Sequence, residues 1–126
     1  MATYQDVLVV LDPSQPTQKA LDRAFELAEH TACRLTAFLS IYDFSYEMTT
    51  MLSGEERESM RQAVITDREI WINELVEPAR AKGVQVNVKV VWHNRPFEAV
   101  VKAVTDDGYD LVIKGTHNHD VLKSMI

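Results

Sequence analysis

The stretch VLVVLDPS, residues 7–14, is the most informative part of this sequence for the fold. Its unbroken apolar run contains three valines and is typical of a strand that is buried on both faces of a sheet. Asp12, Pro13 and Ser14 then end the run, as turn residues do after a strand. Strands of this kind belong to parallel sheets covered by helices, so the stretch predicts an α/β domain.

Outward from this strand, helical and strand spacing alternate along the chain. The first helix is predicted after Ser14, which would act as its cap, with Pro16 in the first turn. The second is predicted after Ser53, where Ser-Gly-Glu-Glu forms a capping-box pattern. The third is predicted after Asn94. The predicted strands are residues 7–11, 35–42, 84–92 and 111–113. Their order with the helices, βαβαβαβ, is typical of a parallel sheet with right-handed crossovers.

Three features of these segments predict how they end and pack. Pro78 is expected to kink the long central helix or to end it early, and Gly83 to terminate it. Alternating valines in residues 84–92 predict an edge strand with one wet face. In the last helix, which Gly108 closes, a stripe of large apolar residues is expected to face the sheet: Phe97, Val100, Val101 and Val104.

Composition limits the functional classes that the chain can belong to. The 126 residues are 46% hydrophobic and 25% charged, as expected for one globular domain. A net charge of −6 argues against nucleic acids and anionic membrane surfaces as partners, because both need basic surface. The single cysteine, Cys33, forms no internal disulfide, and no apolar run is long enough for a membrane span. These observations predict a cytoplasmic protein.

Three stretches together resemble the universal stress protein family: VVLDPS at 9–14, IYDFSYEMTT at 41–50 and KVVWHNRPFEA at 89–99. The two longer stretches are similar to the first domain of members that carry two domains in tandem. The resemblance implies a flavodoxin-like sheet ordered 3-2-1-4-5, with the last strand missing from residues 1–126. The implied partner is a second such domain of the same chain, or a homodimer partner.

The resemblance also implies where a ligand would bind. In a sheet of that order the strand sequence reverses between the first and fourth strands, and ligands settle at the carboxyl ends of strands there. Many members bind adenine nucleotide, so ATP is the candidate cofactor, and the family pattern puts Asp12, Ile41, Gly115 and Thr116 beside it. Asn118 stands at the second glycine position of the family's G-x-x-G loop, and this departure favours a merely structural loop.

A metal site is the other chemistry that these residues suggest. His117, His119 and Asp120 form a weak candidate cluster, and His93 is a third imidazole. The implied strand order separates His93 from His117 by three strand spacings, about 14 Å, which is too far for a shared coordination shell. We therefore predict no metal and treat the histidines as loop residues.

The functional expectation is a non-catalytic stress-response module that acts through domain pairing and through ligand or partner binding. No nucleophile with a fitting base is visible, since Cys33 precedes the second strand at the end opposite the crevice. The alternative is an adenine-nucleotide-binding domain with slow ATPase activity.

Overall fold

The computed structural model describes residues 4–15, 17–43 and 53–115, which form a four-stranded parallel sheet with helices on both faces. Within these residues there are three helices, and the strand order is β3-β2-β1-β4. The elements are β1 Asp6–Val10, α1 Lys19–His30, β2 Arg34–Ile41, α2 Gly54–Ala81, β3 Gln85–Trp92, α3 Pro96–Asp107 and β4 Leu111–Lys114. The predicted α/β class and the order of its first four strands are therefore confirmed.

The strand β1 lies inside the sheet, between β2 and β4. Leu8 pairs with Thr36 on one side and with Val112 on the other, and Val7, Leu8 and Val9 are fully buried. A strand in this position has both faces covered, which explains why its apolar residues run without interruption. By contrast, β3 lies at an edge of the sheet, where buried Val86 is flanked by exposed neighbours, as its alternating sequence predicted.

The core is divided between the two faces of the sheet. On one face α1 and α2 cover the larger cluster, which includes Val7, Val9, Leu35, Ala24 and Ile72. On the other face α3 alone, among the described helices, packs against Leu8 and Phe38 through Ala99 and Ala103. The second face is therefore the more thinly covered one in the described part of the chain.

The predicted start of α1 is wrong. The helix begins at Lys19, its N-cap is Gln18, and the Ser14 hydroxyl instead donates a hydrogen bond to Asp12 Oδ1 at 2.6 Å. Pro16, expected in the first turn, lies outside the described residues. The loop therefore uses its short polar side chains to build a turn after β1 rather than to cap the helix.

The central helix α2 begins and ends with recognisable caps. At its start Glu56 N donates to Ser53 Oγ at 3.1 Å and Ser53 N donates to Glu56 Oε1 at 3.2 Å, which confirms the capping box. At its end Gly83 has φ of 93°, its N–H donates to the Arg80 carbonyl, and Val84 N–H donates to the Ala79 carbonyl. This pair of bonds is a Schellman motif, which confirms Gly83 as the terminator.

Of the two outcomes predicted for Pro78, a kink or an early end of α2, the early end is wrong, because the helix continues to Ala81. The kink stays a prediction. Pro78 is exposed and lies in the last turn, so its ring costs the helix a single hydrogen bond near a terminus. The next residue, Ala79, is buried and anchors the turn to the sheet, and the Gly83 motif holds its carbonyls. Packing and capping together therefore keep the helix intact past the proline.

The predicted inner stripe of α3 is also wrong in part. Phe97 is 75% exposed and Val101 is 48% exposed, whereas Ala99 and Ala103 are the buried residues. Small side chains allow the helix axis to approach Leu8 and Phe38 closely, so the alanine face turns inward. Gly108 closes the helix with φ of 74°, as predicted.

Candidate functional site

The crevice at the carboxyl ends of β1 and β4 is the candidate ligand site. Val10 pairs with Lys114, so Asp12 and Gly115 leave the sheet at the same edge, side by side. From β1 the chain continues to β2 on one side of β1, whereas β4 lies on the other side. The strand order therefore reverses between β1 and β4. In open parallel sheets such a reversal leaves a crevice into which ligands fit.

A cavity of about 900 Å³ opens at this crevice and extends along α1. It is lined by Asp12 and Gly115 at the strand ends and by apolar side chains of β4, including Leu111 and Ile113. Its volume lies within the range of small-molecule sites. The structure thus brings two of the sequence-predicted site residues, Asp12 and Gly115, into one cavity.

The carboxylate of Asp12 has a fixed orientation. Its Oδ1 accepts hydrogen bonds from Ser14 N at 2.9 Å and from Ser14 Oγ at 2.6 Å, which together form a tight turn directly after β1. Asp12 itself is half-buried. A carboxylate held in this way can accept a hydrogen bond from a ligand without first losing side-chain freedom.

Gln18 is the site residue that the sequence analysis missed. Its Oε1 accepts from Asp12 N at 2.9 Å, while its Nε2 donates to the carbonyls of Asp12 at 2.6 Å and Gln15 at 3.1 Å. The residue is 8% exposed, one of the few buried polar residues of the described chain. A glutamine directly before the apolar repeat of α1 was the available signal, but its partners are apparent only once the loop is folded.

The lining of the cavity carries more basic than acidic side chains. Lys19 and Arg23 contribute from α1 and Lys114 from β4, against the carboxylates of Asp12 and Glu26. In a chain of net charge −6 this is a local excess of positive charge, which favours an anionic ligand. Among the residues that the structure describes, no atom lies within 4 Å of an ideal Cβ built on Gly115.

The other predicted nucleotide residues have different outcomes. Ile41 ends β2, the strand next to β1, and packs against the core on the α1 and α2 face rather than lining the cavity. Thr116 lies outside the described residues, as does Asn118. Their predicted roles therefore stay predictions.

The histidines do not form a metal site in the described part of the chain, where no group of three or more His, Cys, Asp or Glu side chains could hold an ion. His93 follows β3 at one edge of the sheet, and its Nδ1 accepts from Arg95 N at 3.0 Å. The strand β4, which precedes the predicted cluster, lies at the other end of the strand order. His117, His119 and Asp120 themselves lie outside the described residues.

The amino ends of the strands contain a different arrangement, a clamp of charged residues. Asp110 accepts hydrogen bonds from Gln5 N and Asp6 N, both at 3.0 Å, and Asp6 forms two hydrogen bonds with the Arg34 guanidinium. The backbone donors, Gln5 N–H first, hold the pKa of Asp110 below its usual value. The clamp joins the starts of β4, β1 and β2.

Cys33 lies beside this clamp, at the end of the sheet opposite the crevice. Burial, with a smaller effect from the negative charge of Asp110, raises the pKa of the Cys33 thiol. A thiol with a raised pKa is a weak nucleophile at neutral pH, because the thiolate is the reactive form. Position and pKa both indicate that Cys33 is a packing residue.

The sequence of this chain is similar to those of known proteins. The model of the universal stress protein family matches residues 3–126. Universal stress protein E of Escherichia coli K12 is 52% identical over 126 residues, which are the whole of this chain and 40% of that protein. The homolog of that protein in Haemophilus influenzae is 36% identical over 98% of this chain and 41% of its own length. The chain thus spans well under half of these relatives.

Solved structures show the same fold at lower identity. Universal stress protein UspA from Lactobacillus plantarum has a TM-score of 0.72 and 19% identity, covering 92% of this chain and 79% of that one. A universal stress protein solved in complex with cAMP has a TM-score of 0.64 and 20% identity, covering 99% of this chain and 83% of that one.

No helix in the described residues is both long and apolar enough to cross a bilayer.

Proposed function

This chain belongs to the universal stress protein family, and we propose that it is a non-catalytic stress-response domain that pairs with a second domain and binds a ligand or partner. The observation that carries this proposal is the crevice between β1 and β4. Ligand binding there is supported by the order of its polar groups, since Asp12 is oriented by Ser14 and its loop is closed by Gln18. Binding, rather than bond breaking, is what such a fixed set of acceptors and donors supports.

The non-catalytic part of the proposal rests on the state of the described nucleophiles. The Ser14 hydroxyl donates to the Asp12 carboxylate, which shapes the turn. In the described residues, no imidazole is a hydrogen-bond partner of the Ser14 hydroxyl. The Cys33 thiol has a raised pKa and lies at the other end of the sheet. Nucleophilic catalysis needs a nucleophile next to a base that is itself oriented, which neither residue provides.

Pairing is supported by the length of the relatives. The chain covers 40% of the Escherichia coli protein that it matches along its whole length, so such a relative has room for a second domain of similar size. The proposed partner is that second domain, or a second copy of this chain. The proposed location is the reducing cytoplasm, in which the single cysteine, Cys33, would remain a free thiol.

The second candidate function is binding of an adenine nucleotide, with slow ATP hydrolysis. It is favoured by the basic lining of the cavity, with Lys19, Arg23 and Lys114, and by the cAMP complex of a protein with the same fold. In this proposal Asp12 accepts a hydrogen bond from the ribose or the adenine amine. The backbone at Gly115 and Thr116 approaches the phosphates. Ile41, at the end of the neighbouring strand β2 and outside the lining of the cavity, would contact a base that extends beyond the cavity towards β2.

Equilibrium binding of labelled ATP to the 126-residue chain separates the two candidates. We expect no saturable binding at micromolar ATP if the domain is not a nucleotide site. Micromolar affinity that is lost in Asp12→Ala, but kept in Asp22→Ala on the exposed side of α1, would establish the nucleotide site. Release of phosphate from the bound ATP would then distinguish hydrolysis from binding alone.

A further inference from the structure

A second cavity, of about 880 Å³, lies at the amino ends of the strands, at the end of the sheet opposite the crevice. It is lined by residues from the last turns of α1 and α2 and from the segments that lead into β1, β2 and β3. Its volume lies within the range of small-molecule sites. The described lining of this cavity shares no residue with that of the crevice, so the two cavities are separate.

The inner wall of this cavity is apolar. Its side chains are half-buried and pack against the larger core cluster: Phe25, Ala28, Cys33 and Val84. The Cys33 thiol stays uncharged near neutral pH, because burial raises its pKa. The wall therefore presents no charge to a ligand, and the part of a ligand that lies against it is favoured if it is apolar.

The rim of the cavity is charged. Among the described lining residues, the charged ones are Glu29, Arg34 and Lys82. The Arg34 guanidinium is already held by two hydrogen bonds to Asp6, at 2.8 Å and 2.9 Å. The Lys82 side chain is exposed and makes no ion pair or hydrogen bond with any residue that the structure describes. Lys82 is therefore a cation that a ligand in this cavity can reach without breaking a bond of the described fold.

The position of Lys82 keeps its ammonium available. It is the C-cap of α2, where free carbonyls commonly hold a lysine. Here the Ala79 carbonyl accepts from Lys82 N and Val84 N, and the Arg80 carbonyl accepts from Gly83 N, so backbone donors already satisfy both.

The carboxylate of Asp110 lies far from Lys82. Lys82 precedes β3, whereas Asp110 precedes β4, at the other end of the strand order. Three strand spacings, about 14 Å, separate these strands. The negative charge of the clamp therefore does not compete with a ligand for the Lys82 ammonium.

We propose that this cavity binds a small amphipathic anion, with its apolar body against Phe25, Cys33 and Val84 and its anionic group at the Lys82 ammonium. The apolar wall and the charged rim act on different ends of such a molecule, so together they fix its orientation. Glu29, on the α1 side of the rim, disfavours the reverse orientation by like-charge repulsion. The site is additional to the crevice and does not depend on the function proposed for the crevice.

Cys33 makes occupancy of the cavity measurable, because it is the only cysteine of the 126 residues and lies in the cavity wall. The probe is 8-anilinonaphthalene-1-sulfonate, which joins an apolar ring system to one sulfonate. We expect this probe to slow the alkylation of Cys33 by iodoacetamide saturably, by at least about tenfold, because the rate depends on access to the sulfur. Intact mass spectrometry at a fixed pH follows the reaction.

The charge at Lys82 is tested with one substitution and a second probe. In Lys82→Gln the sulfonate probe should need an about three- to fivefold higher concentration for half-maximal protection, as expected for the loss of one exposed ion pair. The matched control is Lys102→Gln, which removes a 71% exposed lysine of α3 outside the lining of either cavity and should change nothing. N-phenyl-1-naphthylamine has the same rings without the sulfonate, and its protection of Cys33 should be the same in wild type and in Lys82→Gln.

Three outcomes would overturn the proposal. If neither probe protects Cys33 in a chain that still unfolds cooperatively in urea, no such ligand enters the cavity. If both probes protect Cys33 but Lys82→Gln weakens neither, the ligand class is not anionic. If ATP protects Cys33 as well as the sulfonate probe does, the cavity is not separate from a nucleotide site; binding of ATP without protection of Cys33 would support two separate sites.

Discussion

Replacing Gln18 should loosen the loop that holds the candidate site. The side chain is 8% exposed and makes three hydrogen bonds, to Asp12 N, to the Asp12 carbonyl and to the Gln15 carbonyl. Gln18→Met keeps the length and nearly the volume of the side chain but removes all three bonds. The substitution therefore measures the bonds themselves rather than a cavity.

The expected loss follows from the number of bonds. Each hydrogen bond contributes a net of roughly 0.5–1.5 kcal/mol, so we expect the loss of all three in Gln18→Met to lower the free energy of unfolding by about 2–4 kcal/mol. The Asp12 carbonyl keeps the bond that Gln15 N donates at 3.2 Å. For a domain of this size the expected loss corresponds to a fall in Tm of roughly 10 °C. Any ligand that binds at Asp12 should also bind more weakly, because the loop bearing the carboxylate is less ordered.

Gln18→Glu adds a test with a defined pH dependence. At neutral pH one carboxylate oxygen can still accept from Asp12 N, but the other faces two carbonyl oxygens where a donor is required. The folded protein therefore favours the protonated carboxyl, which raises its pKa above the unfolded value of about 4.3. The extra instability relative to wild type is present at neutral pH and diminishes as the pH falls through the raised pKa.

Urea unfolding at constant temperature measures these changes in the free energy of unfolding. The comparison requires that the slope of this free energy against urea concentration be the same in each variant as in wild type. Gln15→Met is the matched control, since Gln15 is exposed and none of its side-chain atoms takes part in the loop bonds described here. The control should stay within about 0.5 kcal/mol of wild type. If Gln18→Met also stays within that range, the three bonds do not stabilise the loop and the reasoning is refuted.

Two further predictions concern the ends of the sheet. The pKa of Asp110 is lowered in the folded state, so the stability that Asp110 contributes is present above about pH 4 and is lost as the pH falls through the lowered pKa. The difference in unfolding free energy between wild type and Asp110→Asn should therefore be constant near neutral pH and become smaller below about pH 4. A difference that is independent of pH down to acid unfolding would contradict this. Zn²⁺ should leave the Tm unchanged, because a metal that binds only the folded state raises it by mass action; a rise that disappears in a His117→Ala, His119→Ala double variant would show that the predicted loop histidines form a site.

The sequence predicted the elements of this fold closely because their signals are local. The apolar run of β1, the alternation of β3, the capping box at Ser53 and the glycines after the helices all act within a few residues along the chain. The predicted strand bounds therefore differ from the observed ones by a single residue.

The errors concern features that depend on distant neighbours. Large apolar side chains on α3 predicted the wrong inner face, because the sheet accepts Ala99 and Ala103 at close approach instead. Pro78 did not end α2, because burial of Ala79 and the Gly83 motif hold the last turn. Helical spacing cannot reveal either outcome, since it says nothing about the shape of the opposing surface.

The residues of the candidate site likewise fall into those that the sequence predicted and those that only the tertiary structure revealed. The sequence marked Asp12 and Gly115 through the family resemblance, whose implied strand order brings the residues after the first and fourth strands to the same edge of the sheet. The tertiary structure confirmed that β4 pairs directly with β1, and it alone showed that a cavity opens at their carboxyl ends and that Gln18 fixes the loop. A buried hydrogen-bond network forms only when folded segments exclude water from it, so its members are decided by packing and not by local sequence.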